Sequence, residues 1–285
     1  MSHVPLGGTL HGYGALVTGG GSGIGLASAI RLAKDGAAVT ICGRTESRLE
    51  EGVRAIQAGA PDATVQHIVA DVVDESAVAA AVALAAEPCG TIDIVVASAG
   101  GSESIGPVHT LDVDAFRRTL ELNVVGTLLP LKHAAPRMCG NGRGSFIGVS
   151  SLAASRPHPW FGAYGPAKAG IEMLVQQSAI ELGPSGVRVN AVAPGLVDTE
   201  LVGAVVAGGP VLEDYLEQTP LGRVGTPEDI AEAVRYLAGP ESSWVTGQTI
   251  RLDGGHTLMR GPSFRGFLEP VFGADGLRGI VAEEG

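Results

Sequence analysis

At 285 residues with 45% hydrophobic content, the chain is long enough for one large core and does not require a second domain. Its net charge of -11 argues against a nucleic-acid partner, because a phosphate backbone rewards clustered Lys and Arg. The opening "MSHVPLGGTLHG" has no basic-then-apolar leader, and no apolar run approaches the roughly 20 residues that cross a bilayer, so a cytoplasmic protein with no membrane partner is expected.

Short runs rich in Val, Ile and Ala alternate with longer helical patterns, as parallel strands buried on both faces alternate with covering helices. The first strand, "ALVT" (15–18), leads through "TGGGSGIG" into the helix "IGLASAIRLAKDG", which closes on a glycine stop. Next come strands "AVTIC" (38–42) and "VQHIVA" (65–70), and then the helix "DESAVAAAVALAAEPCG", whose Ala-rich face suits close packing on a sheet. The remaining strands are "DIVVAS" (93–98), "SFIGVS" (145–150), "VRVNAVA" (187–193) and "TIRLD" (249–253). Seven such strands predict the α/β class: a single-domain, Rossmann-type doubly wound sheet of about seven parallel strands with helices on both faces. No repeat or linker divides residues 1–285; the segment 200–226 and the tail 256–285 read as less regular.

Three cysteines at wide spacing (Cys42, Cys89, Cys139) fit neither a disulfide framework nor a zinc site. The seven scattered histidines show no ligand spacing either, so no metal is expected.

Glycines between a first strand and a first helix let the backbone approach a pyrophosphate, while the helix N-terminus offers free N–H groups and partial positive charge. Gly19, Ser22, Gly23, Ile24 and Gly25 are therefore a candidate dinucleotide turn, the plain alternative being a tight βα turn. At the end of the second strand, where an acid would accept from the adenosine ribose, Gly43 stands instead, followed by Arg44. A guanidinium there can fork onto a 2'-phosphate, so NADP is favoured over NAD. The plain alternative is that Arg44 is a solvated residue near a helix start, and the glycine turn itself carries no base.

The Gly19, Gly23, Gly25 spacing resembles that of the short-chain dehydrogenase/reductase family, in its single-domain branch. Later motifs follow in family order over about residues 10–255: "LNVVG" around Asn123, the serines 150 and 151, Tyr164 with Lys168, Pro194-Gly195 and "LDGG". The resemblance implies that Asp71 contacts adenine with Val72 beside it, the alternative for Asp71 being a helix cap. It also implies that Ala99 and Gly100 approach the cofactor. The family's Asn-Asn-Ala-Gly is here Ala97-Ser98-Ala99-Gly100, which removes an amide side chain. Pro194, Gly195, Val197 and Thr199 are implied at the nicotinamide carboxamide, with Thr199 readable also as an N-cap.

Tyr164 and Lys168, at i and i+4, share a helix face, where an ammonium is expected to lower the phenol pKa so that Tyr164 acts as general acid/base. Pro166 predicts a helix beginning close to Tyr164, because proline is tolerated only in a first turn. By resemblance, Ser151 orients the substrate oxygen, Asn123 completes a proton relay through Lys168, and Ser150 is rejected as the wrong face of the strand. The family's small hydroxyl residue before the lysine is replaced by Ala167.

The resulting expectation is an NADP- or NAD-dependent oxidoreductase interconverting a secondary alcohol and a ketone. The alternatives are a catalytically inactive cofactor-binding regulator or scaffold, and an epimerase or dehydratase of the family's extended branch, whose glycine spacing differs. A mostly apolar 200–222 segment suggests a flexible lid over a hydrophobic small molecule. Arg156, His158 and Trp160 read as ligand contacts or as packing. The tail carries Phe264, Phe267 and Phe272, which are expected to pack on another subunit of a homo-oligomer, a tetramer or dimer.

Overall fold

The computed structural model describes residues 10–261 and 263–280; the N-terminal motif through residue 9, with His3, and residues 281–285 lie outside them. Seven parallel strands form one sheet in the order β3-β2-β1-β4-β5-β6-β7. They are β1 (Gly14–Thr18), β2 (Ala38–Gly43), β3 (Val65–Val69), β4 (Ile94–Ala97), β5 (Gly144–Val149), β6 (Val187–Pro194) and β7 (Thr249–Leu252). All seven expected strands are present, with ends shifted by one residue at most.

Alternation along the strands divides the core into two layers. Ala15, Val17, Ile94 and Val96 face the layer covered by α1 (Gly23–Lys34), α2 (Glu46–Gly59) and α9 (Pro227–Ala238). Leu16, Val95 and Ala97 face the layer covered by α3 (Glu75–Ala86), α5 (Gly126–Asn141) and α6 (Tyr164–Leu182). Sealing each Val, Ile or Leu from water contributes ~1.5–3 kcal/mol, so a double-faced sheet of this composition is stable only when both layers are present. α3 starts where Asp74 accepts from the backbone N–H of Ser76 and Ala77. α9 starts on a capping box between Thr226 and Asp229.

The sheet order reverses direction between β1 and β4, and the crevice outside their carboxyl ends is where such sheets receive ligands. The segment 200–226 is more ordered than its glycines suggest: it forms a 3-10 turn (Glu200–Val202), α7 (Gly203–Val206) and α8 (Pro210–Glu217). The tail forms α10 (Arg265–Leu277), interrupted at Gly273, where φ is +69°. Phe264 and Phe272 pack within the chain with Val211, Tyr215 and Trp160. Phe267 and Val271 of α10 keep exposed surfaces, as do Leu258, Met259 and Ile280 elsewhere in the tail.

Candidate active site

A groove of about 360 Å³ runs across the carboxyl ends of β1, β2, β4, β5 and β6. The glycine turn forms its floor. Gly19 and Gly23 have φ of +64° and +51°, and a Cβ on Gly25 would lie 2.3 Å from the Gly19 carbonyl, so the turn closes only with glycine there. Ser22 sits at the N-cap of α1 without a side-chain cap bond, which leaves its hydroxyl and the first N–H groups of α1 for a ligand. These features fit a dinucleotide pyrophosphate: close backbone approach, unpaired donors and a helix N-terminus meet in one place.

Gly19, Ser22, Gly23, Ile24, Gly25, Arg44, Asp71, Val72, Ala99, Gly100, Pro194, Gly195, Val197 and Thr199 all line this groove. Asp71 does not cap the following helix; Asp74 does, while Asp71 accepts from the Val73 N–H at 3.2 Å. Thr199 holds an N-cap position, yet its side chain makes no cap bond, so the cap reading fails for its hydroxyl. Its methyl instead faces Gly23, where a Cβ would come within 3.3 Å. The amide lost at positions 97–98 has a local substitute: the Thr18 hydroxyl accepts from Ser98 N–H at 3.1 Å and Ala99 N–H at 3.2 Å.

Arg44 is exposed at the groove rim. One helical turn on, Arg48 lines the same rim and pairs with Glu200 at 2.9 Å, tying α2 to the segment after β6. Thr18 opens the glycine motif, though its role in holding the Ser98 and Ala99 N–H groups is not visible there; Arg48 lies in no motif and was discoverable as the i+4 neighbour of Arg44.

Three of the four catalytic candidates line the inner end of the groove. α6 begins at Tyr164, as Pro166 predicts, with Pro166 in the first turn. Ser151 follows β5, accepts from the Ala153 N–H at 3.2 Å and lies near enough to the Tyr164 phenol to lower its pKa. Lys168 is buried, with Nζ donating to the Val149 carbonyl at 2.9 Å and lying 5.5 Å from the Tyr164 ring centroid. Ser150, rejected from the sequence, turns to the core: its hydroxyl bonds the Lys168 carbonyl at 3.2 Å and Glu172 Oε1 at 2.9 Å.

Asn123 stands behind the groove wall rather than in it. It lies in a π turn (Glu121–Val125) between α4 (Val113–Leu120) and α5, fully buried. Its amide donates to the carbonyls of Gly101 and Thr119 at 2.8 Å each, so the side chain braces the turn at the end of β4.

The electrostatics correct one expectation. Burial raises the Tyr164 phenol above its ordinary pKa, partly offset by the nearby Ser151 hydroxyl. Burial also lowers the Lys168 ammonium to about 8. The expected lowering of the phenol by its lysine neighbour is outweighed because both groups lose water, and each then favours its neutral form.

Beyond Tyr164 lies an aromatic cluster. Phe161 meets Tyr164 edge-on at 5.7 Å, and His158, Phe264 and Tyr215 continue the cluster. His158 and Trp160 are therefore packed residues, Trp160 with φ of +65°. Arg156 is exposed and its guanidinium bonds the Thr257 carbonyl.

Residues 19–257 match the family model described as enoyl-(acyl carrier protein) reductase. The chain is 40% identical to cis-4-hydroxycyclohexanecarboxylate dehydrogenase of Sinomonas cyclohexanicum, over 86% of this chain and 96% of that one. A short-chain type dehydrogenase/reductase from Mycobacterium ulcerans superposes with a TM-score of 0.93 at 46% identity, covering 96% of this chain and all of that one. A gluconate 5-dehydrogenase from Burkholderia cenocepacia, solved with NADP and tartrate, superposes with a TM-score of 0.82 at 31% identity over 88% and 97% of the two chains. Fold, groove and relatives agree: the chain belongs to the short-chain dehydrogenase/reductase family and is an NAD(P)-dependent oxidoreductase acting on CH–OH or C=O groups.

Proposed function

We propose that the protein interconverts a secondary alcohol and a ketone, with NADP preferred to NAD and Tyr164 as general acid/base. The observation that carries this reading is the meeting of Ser151, Tyr164 and Lys168 at the inner end of the glycine-floored groove. When bound, the nicotinamide cofactor supplies or accepts the hydride at the carbinol carbon.

The chain's own residues do the rest. Ser151 donates to the substrate oxygen and fixes it beside Tyr164, whose phenol gives a proton to the developing alkoxide or takes one from the alcohol. A raised phenol pKa keeps Tyr164 protonated and ready to donate, which suits the reductive direction. Lys168, with its ammonium lowered to about 8, exchanges protons within the working range and passes them on in the relay expected through Asn123. An inactive scaffold would have no use for this set.

For the cofactor, Gly19, Ser22, Gly23, Ile24 and Gly25 would hold the pyrophosphate, and Asp71 with Val72 the adenine. Gly43 in place of an acid, with Arg44 and Arg48 on the rim, supports a 2'-phosphate. A homo-oligomer in a cytoplasmic setting completes the reading. Exposed Met173 and Ile180 on α6, beside Val125 and Leu128, support a face covered by a second copy.

The test is a nicotinamide-absorbance assay on a panel of secondary alcohols and ketones with each cofactor. Tyr164→Phe is expected to lose at least ~10²-fold in kcat, and activity surviving that change overturns the mechanism. Arg44→Ala is expected to erase the NADP preference; an unchanged ratio of kcat/KM values removes the phosphate role.

A further inference from the structure

The aromatic cluster beyond Tyr164 and the turn beside it carry polar groups that the fold leaves unused. Tyr215, on α8, is buried with its ring 6.2 Å from His158, 6.3 Å from Phe264 and 5.4 Å from His256. Among the described residues its hydroxyl has no hydrogen-bond partner. His158 is fixed as the Nδ1–H tautomer by a 2.8 Å bond to the Arg156 carbonyl, which leaves Nε2 as a bare acceptor in the same cluster.

Ser104 supplies a second, independent sign. Its hydroxyl is buried and unpartnered, and a Cβ on Gly162, two residues before Tyr164, would lie 2.6 Å from it. A buried donor without a partner costs ~1–3 kcal/mol, which a ligand oxygen placed there would recover. A buried hydroxyl beside the turn into α6 is better suited to an oxygen-bearing ligand than to a plain hydrocarbon.

The charge state agrees with the geometry. Burial, with Tyr164 and Asp214 adding to it, pushes the Tyr215 phenol well above its ordinary range, so it remains a neutral donor. Geometry links the two phenols through two rings: Phe264 lies 6.3 Å from Tyr215 and 4.6 Å from Phe161, which meets Tyr164 at 5.7 Å.

We propose that Tyr215 is a specificity-determining residue whose hydroxyl donates to a second oxygen of the substrate, away from the reacting carbon. The site therefore takes hydroxyketones, diketones and diols with an apolar body in preference to ketones whose remainder is hydrocarbon alone. This narrows the hydrophobic ligand expected from residues 200–222, and it rests on the proposed alcohol/ketone activity.

The experiment compares matched ketones in the wild type, Tyr215→Phe and Tyr164→Phe: cyclohexanone against its 3- and 4-hydroxy derivatives, and 2-hexanone against 2,5-hexanedione. Tyr215→Phe keeps the ring packing, and its Tm is measured alongside. The wild type is expected to favour the oxygen-bearing member of at least one pair by ~10-fold or more in kcat/KM. Tyr215→Phe should collapse that ratio through KM, leaving kcat and the turnover of the plain ketone within about twofold. A wild-type ratio near one in every pair, a ratio that survives in Tyr215→Phe, or no turnover of any oxygen-bearing member overturns the assignment. Failure of the underlying activity is read separately, as turnover that persists in Tyr164→Phe or as no NADP or NAD binding by calorimetry.

Discussion

The Lys168 ammonium donates to the Val149 carbonyl at 2.9 Å from a buried position with no carboxylate among its hydrogen bonds. Its pKa falls to about 8 from the ordinary 10.5, so between those values the unfolded chain binds more protons than the native one. Native stability from this group therefore rises with pH across the window, and below pH 8 the penalty of the buried charge is fully present. The Tyr164 phenol, raised by burial, acts in the opposite sense only above about 10. Urea unfolding of the wild type and Lys168→Met, which removes the charge and keeps the length, should give a stability difference that shifts toward the wild type by ~2 kcal/mol from pH 8 to 10. A difference independent of pH would contradict the buried-ammonium account.

Adjacent serines should separate cleanly into chemistry and packing. Ser151→Ala removes the hydroxyl beside the Tyr164 phenol and is expected to lower kcat by ~10²-fold with little change in Tm. Ser150→Ala removes the bonds to the Lys168 carbonyl and to the half-buried Glu172 carboxylate, costing ~1 kcal/mol of stability with kcat retained within a few-fold. Thermal unfolding and turnover measured on both variants decide it, and an exchange of the two patterns would reverse the assignment.

These two serines also show what a sequence can carry. The glycine turn, the strands and the start of α6 are local: each depends on a backbone conformation or a period that neighbouring residues dictate. Pro166 marks the first turn of α6 because any deeper position would cost a hydrogen bond. By contrast, Tyr215 meets His158 and Phe264 from three distant segments, and Arg48 meets Glu200 across the groove, with no local period to announce either. α7 and α8 escaped because short helices among glycines give too few turns for a pattern. The sign of the Tyr164 shift was missed for a related reason: an i, i+4 ammonium is visible in sequence, whereas loss of water at both groups is not.

Phe264 joins the tail to the mouth of the site within one chain. It lies 4.6 Å from Phe161 and 6.3 Å from Tyr215, and the segment before α10 is further tied to α8 through Arg260 and Asp214 at 2.6 Å. Phe264→Ala is expected to destabilise this cluster by ~3 kcal/mol and to raise the substrate KM while leaving the oligomer mass unchanged. Light scattering alongside kinetics distinguishes the cases: a fall in mass with KM preserved would return the tail to a subunit interface.

Gly100 is a tight point between the groove and its support. A Cβ there would lie 2.7 Å from Asn123 Oδ1 and 3.1 Å from Lys168 Nζ. Neither neighbour can withdraw freely, because the Asn123 amide is bonded to Gly101 and Thr119 and the ammonium to Val149. Gly100→Ala should therefore move the lysine or the π turn, lowering kcat by at least ~10-fold and costing ~1–3 kcal/mol from overpacking. Gly140 is the control, a helical glycine with no atom within 4 Å of its would-be Cβ. Gly140→Ala should keep full activity and gain up to ~1 kcal/mol in stability, since alanine is the better helix former. Equal behaviour of the two variants would mean that the contact of Gly100 with Asn123 and Lys168 places no constraint on turnover.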